Sequence, residues 1–212
     1  DQTQSVQTVE VGIPVEERPE LFLTRSMPTH GEAKIAVFLI QFPDYMNDNP
    51  YATVEYYEEL YFGEGVLYDV GRMGVSAFYY DESYGKLNIS GKVFDWYTAK
   101  HERSYYDNKK AELVMEAAEY YRAQGVDFSQ FDGDSNEIID AIIFHFAGVY
   151  SYSRSDPWYS GRDYSSPSSF GEIDGLNVKN IIQMNEEAGT SINAGLVMVV
   201  CHELMHSLGM PD

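Results

Sequence analysis

The sequence is poor in cysteine and in positive charge. It has one cysteine, Cys201, in 212 residues, so no internal disulfide can form and cysteine usage carries no compartment signal. Basic residues number 14 against 34 acidic ones, a formal net charge of −20. Such a chain has no electrostatic footprint for nucleic acid, and anionic membrane surfaces repel it. The longest apolar stretches, such as residues 35–40, are strand-sized and fall far short of the ~18 residues of a membrane span. The opening Asp1-Gln2-Thr3-Gln4 has neither the basic nor the apolar region of a signal peptide, so an exported protein with this sequence is expected in a processed or trimmed form.

What the chain does have is a globular composition, 44% hydrophobic and 23% charged, enough for one packed domain. Residues 1–32 are polar and punctuated by Gly12, Pro14, Pro19, Pro28 and Gly31, which reads as an extended leader or linker. A domain is expected over residues 33–212. Residues 34–42 form an apolar, β-branched run ending at Pro43-Asp44, a buried strand followed by a turn. Residues 53–62 and 75–80 read as helices. Residues 87–94, with Trp96 and Tyr97, read as strands or a bent hairpin. Residues 108–124 give the clearest helix, with Leu113, Val114, Ala117, Ala118 and Tyr121 at helical spacing and Gly125 as a stop. Residues 138–146 are a second apolar strand, 151–175 a long Ser/Pro/Gly/Tyr-rich loop, 178–184 an edge strand, and 192–208 the last helix. The interleaving predicts an α/β or α+β fold with a mixed sheet.

The chemistry is concentrated at residues 202–212, His-Glu-Leu-Met-His-Ser-Leu-Gly-Met-Pro-Asp. With 3.6 residues per helical turn, His202 and His206 stack on one face, where both imidazoles can reach one zinc ion. Glu203 is angularly offset, beside the metal, where it can bond a water instead of ligating. Gly209 can take the left-handed conformation that ends a helix, and Pro211 cannot continue one, so the chain can turn and return Asp212 as a third ligand. Three protein ligands leave the fourth position that marks a catalytic zinc. Each histidine alone is more often a satisfied polar residue. The five-residue pattern, however, arises by chance in roughly 1% of such chains, and the added glycine and aspartate cut that by about two orders of magnitude.

H-E-x-x-H-x-x-G-x-x-D resembles the secreted bacterial metzincin-like zinc metallopeptidases of the immune inhibitor A family. Ile40-Gln41-Phe42-Pro43-Asp44, the block running from Val75 to Leu87, Val93-Phe94-Asp95-Trp96-Tyr97 and residues 132–140 are similar to it as well. The resemblance implies zinc on His202, His206 and Asp212, Glu203 as catalytic glutamate, protein or peptide substrates and secretion. It also implies a metzincin-like N-terminal subdomain, a twisted mixed sheet with helices and an active-site helix. This chain is expected to stop after the zinc motif, without the C-terminal subdomain and methionine-containing turn that family members carry.

Asp132-Gly133-Asp134-Ser135-Asn136-Glu137-Ile138-Ile139-Asp140 sets oxygens at positions 1, 3, 5 and 9, the alternation of a calcium loop, though not of an EF-hand. Asp132, Asp134, Asn136 and Asp140 are therefore candidate calcium ligands, and Asp127 could join them. An Asx-rich turn feeding a strand is the competing reading. Cys201 should face away from the metal as an inert buried thiol, and His30, His101 and His145 should be surface or hydrogen-bonded residues. The leading expectation is a secreted zinc endopeptidase. The alternatives are a non-catalytic calcium- or metal-dependent binding module on a peptidase scaffold, and a zinc hydrolase of non-peptide bonds.

Overall fold

The computed structural model describes residues 25–63, 74–151, 153–166 and 168–210. The leader expected before residue 33 lies mostly outside these; of its described part, Ser26 and Met27 are fully buried.

The centre of the molecule is a five-stranded twisted sheet in the order β2-β1-β3-β7-β4. These strands are β1 (Gly31–Gln41), β2 (Leu87–Thr98), β3 (Ala141–Phe146), β4 (Arg162–Ser165) and β7 (Asn180–Asn185). All neighbours run parallel except β4, which pairs antiparallel with β7 at the edge. Two short strands, β5 (Gly171–Ile173) and β6 (Leu176–Val178), form a separate hairpin. Among the described residues, four α-helices cover the sheet: α1 (Val54–Phe62), α2 (Val75–Glu82), α3 (Lys110–Ala123) and α4 (Ala194–Ser207). This is the expected α/β class with a mostly parallel sheet.

Strand periodicity divides the core into two layers. Along β1, Ala33, Ile35, Val37 and Leu39 face α1, α2 and α4, while Ala36, Phe38 and Ile40 face α3 and the aromatic residues Phe94, Phe128 and Phe131. Because both faces are covered, β1 and β3 read as near-continuous apolar runs, which is why they were legible as buried strands. α1 starts where Thr53 caps Tyr56 N with its hydroxyl.

Three expectations are corrected. Residues 87–98 form one continuous strand, not a hairpin: β2 stays parallel to β1 from Leu87 to Thr98 and absorbs one irregularity in register between Phe38 and Ile40. The stretch 178–184 is not an edge. β7 lies between β3 and β4 with all six residues buried. The strand that covers it, β4, belongs to the segment 151–175 expected as loop. Arg-Asp-Tyr-Ser is polar and half-exposed, so hydrophobic patterning does not reveal it; β5, at 3 residues, is too short to show a pattern.

Candidate active site

α4 is capped at its start by Asn193, whose Oδ1 accepts from Gly195 N (2.9 Å) and Leu196 N (3.2 Å). The hydroxyl of Tyr56 on α1 accepts from Asn193 N (3.1 Å), tying that cap to the neighbouring helix. Leu196, Val197, Val200, Cys201 and Leu204 face inward. The Cys201 thiol is buried and its pKa is pushed up to about 12 by desolvation, so it is an inert core group.

The other face carries His202 and His206, one turn apart, with ring centroids 5.2 Å apart and ring planes at 89°. Glu203 is 7% exposed and sits to one side. With Arg154, Tyr159, Gly161, Arg162 and Asp163 opposite, these three residues line an open cleft of about 260 Å³. Gly161, φ +75°, enters β4 here, and its N–H bonds Gln183 O (3.0 Å). A Cβ at this position would lie 2.5 Å from Val199 Cγ1 and 3.3 Å from Glu203 Oε1, so the glycine keeps the wall beside the carboxylate open.

The helix ends as the sequence predicts. Gly209 has φ +90°. Its N–H bonds His206 O (2.8 Å), and Met210 N bonds Met205 O (3.0 Å), the paired bonds of a Schellman stop. The turn has a chemical consequence. His206 Nδ1 lies 2.8 Å from Met210 O. A carbonyl only accepts, so Nδ1 carries the proton in neutral His206 and Nε2 keeps its lone pair for a metal. The buried end of α4 is fastened further: Ser207 O accepts from Ser26 N and Met27 N (3.1 Å each), and Asn180 Nδ2 donates to Ser207 Oγ (3.0 Å). Asp212 lies outside the described residues.

The acidic loop brings Asp132, Asp134 and Asp140 together, with one oxygen of each within 4.8 Å of the others. Asp140 is fully buried. Its Oδ2 accepts from Lys34 N (2.6 Å) and Gly133 N (3.0 Å), while Oδ1 has no hydrogen-bond partner among the described residues. Desolvation, with the nearby Asp134 and Asp132 charges, raises its pKa to about 7. Asp132 accepts from the N–H groups of Asn136 (3.0 Å) and Glu137 (2.9 Å). Asn136 turns its Oδ1 to Ile138 N (2.9 Å), and Asp127 caps Ser129 N (2.9 Å).

Of the remaining histidines, His145 is buried and bonded to Tyr61 OH and Asn185 O, while His30 and His101 are exposed. The residues that sequence reasoning missed are Arg154, Tyr159, Gly161, Arg162 and Asp163. The signal that could have found them was two arginines in a Ser/Gly-rich stretch of a chain so short of positive charge.

Residues 25–153 match the model of the immune inhibitor A peptidase M6 catalytic domain. The chain belongs to this family. It is therefore a peptidase, with proteins or peptides as substrates, and M6 membership implies a metal. The matched stretch covers β1 to β3 and the acidic loop, and it ends before α4. No curated protein matches the chain. No helix among the described residues is long and apolar enough to cross a membrane.

Proposed function

We propose that the protein is a secreted zinc endopeptidase in which Glu203 is the general base. The observation that carries the reading is the disposition of His202 and His206 one turn apart on an open cleft, with His206 Nδ1 engaged by Met210 O. His202, His206 and Asp212 would hold the metal, a nitrogen and oxygen donor set suited to zinc. Zinc, when bound, supplies an acidified water at neutral pH and polarises the scissile carbonyl.

Glu203 takes the proton from the attacking water and delivers it to the leaving amine. Its near-complete burial beside Gly161 restricts its rotamers, as such a relay requires. β4 is an edge strand and, among the described residues, pairs with β7 alone, so its outer side can take an extended peptide by strand addition next to α4. A pure binding module has no need of the Glu203 carboxylate, which favours hydrolysis over that alternative.

Calcium at Asp132, Asp134 and Asp140, with Asn136 as a further oxygen donor, belongs to the same proposal. It is supported by the buried Asp140 oxygen without a hydrogen-bond partner among crowded carboxylates. Secretion rests on the sequence resemblance, and cell fractionation tests it.

The deciding experiment is elemental analysis of the purified protein combined with casein cleavage before and after chelation. One zinc per chain is expected, with cleavage lost on chelation, restored by zinc and lost in His206→Ala. Undiminished cleavage by zinc-free protein overturns the reading; bound zinc with no hydrolysis of any protein favours the binding module.

A further inference from the structure

Cations are scarce in this chain, yet several gather on one side of the active-site cleft. Arg154 and Arg162 line the cleft itself. Arg162 also forms the wall of a second cavity of about 330 Å³, whose lining includes Lys109, Lys110, Tyr164 and Phe170. Tyr164 and Phe170 place this cavity on the α3 side of the sheet, and Arg162, on the edge strand β4, is common to both linings, so the cavity adjoins the cleft around the sheet edge.

The charges there are poorly balanced. Lys110 is only 4% exposed, and its Nζ donates to two carbonyls, Tyr106 O (2.8 Å) and Asp107 O (3.2 Å), while lying 3.5 Å from the Trp158 ring centre. Among the described residues, neither Lys110 nor Arg162 forms an ion pair; Lys109 pairs with Glu112 at 3.7 Å. The one carboxylate in the lining, Asp107, takes the indole N–H of Trp158 (2.8 Å). α3 begins at the same cavity with no side-chain cap, so the positive end of its dipole adds to the field. Burial works against the Lys110 ammonium, and so do the Arg103 and Arg162 charges; Asp107 and Asp156 offset this only in part, a condition that an incoming anion relieves.

A chain with 34 acidic residues could readily have paired these cations with its own carboxylates. We infer that the cavity walled by Lys110 and Arg162 is a substrate subsite that takes an acidic side chain, Asp or Glu, of the bound peptide. The inference rests on the active-site reading above. An acidic side chain fits the three features together: Arg162 and Lys110 donate charge-assisted hydrogen bonds to the carboxylate, and Tyr164 and Phe170 pack on its methylenes. The subsite makes the enzyme selective for acidic segments of its protein substrates.

The test uses the zinc-loaded protein and quenched fluorogenic peptides that differ only by Glu or Gln at one position, scanned across the scissile bond. At one position the Glu peptide should be favoured about tenfold in kcat/KM. That ratio should fall toward one as salt rises from about 0.01 M to about 1 M, which shortens the screening length from about 30 Å to about 3 Å. Arg162→Gln and Lys110→Met should each bring the ratio close to one. Reading a ratio within each variant separates selectivity from any general loss of activity.

A parallel measurement needs no turnover: fluorescence anisotropy of the same labelled peptides on Glu203→Gln should show the same Glu preference. A ratio near one at every position in the wild type, or a ratio that survives both substitutions, overturns the subsite. If nothing is cleaved, the active-site reading fails, and the anisotropy still decides the subsite on its own.

Discussion

Glu203 and His206 differ in what fixes them, and substitutions should separate their roles. His206 is oriented by a hydrogen bond to Met210 O, and Glu203 by burial against Gly161. Glu203→Gln keeps shape and hydrogen bonding but cannot accept a proton. It should therefore lower kcat by at least about 10² to 10⁴ while zinc content stays at one per chain, as elemental analysis would report. Loss of zinc in that variant would make Glu203 a ligand instead of a base. His145 gives a different residue-scale prediction. It is fully buried, with Nδ1 2.7 Å from Asn185 O, to which it donates, and Nε2 2.8 Å from Tyr61 OH, from which it accepts when the ring is neutral. Desolvation lowers its pKa to about 4, below the unfolded value near 6.5. The unfolded chain therefore binds the proton first. The stability due to neutral His145 is complete above pH ~6.5 and is lost as pH falls through about 4. Denaturant midpoints between those pH values should decline in the wild type and decline less in His145→Gln; identical slopes would contradict the assignment.

At the scale of elements, the acidic loop and the helix stop show what a sequence discloses. The end of α4 was legible because Gly209 has a conformational reason to sit there, and the spacing of His202 and His206 follows from helix geometry alone. β1 and α3 were legible from their periods. β4 was not: four polar residues at a sheet edge are held by pairing with β7, and no local pattern encodes a partner that lies elsewhere in the chain. The side of the cleft carrying Arg154, Gly161 and Arg162 was lost with it. The acidic loop was legible as alternating oxygens, but that Asn136 turns to its own backbone could be read only in three dimensions. The loop also touches the active-site helix indirectly. Ser26 Oγ donates to Asp140 O (2.6 Å), and Ser26 N bonds Ser207 O, next to His206. Calcium should therefore raise the melting temperature by several degrees, and Asp134→Ala should remove that response. Equal melting curves for the wild type with and without calcium would exclude the site.

For the whole molecule, the sheet is a partition. One layer packs α1, α2 and α4 on it and floors the cleft; the other packs α3 and the aromatic cluster and lies behind it. Both are densely built, so a large-to-small change in either should cost about 2–5 kcal/mol of stability. Their effects on chemistry should differ. Phe128, fully buried in the α3 layer, packs against Phe38 (centroids 6.1 Å) and Phe94 (6.0 Å), on the far side of the sheet from the two histidines. Leu204, fully buried in the other layer, is on α4 itself between Glu203 and His206. Phe128→Ala should lower the denaturation midpoint yet leave kcat/KM and zinc affinity within about twofold, measured well below its melting temperature, because a cavity there need not tilt α4. Leu204→Ala should lower stability comparably and also cost at least about tenfold in kcat/KM, since a shift of α4 displaces Glu203 and both imidazoles together. The comparison is made at matched folded fraction, with zinc affinity by competition against a chelating dye. If the two variants lose activity in equal proportion, the sheet transmits strain between its faces and the partition is wrong.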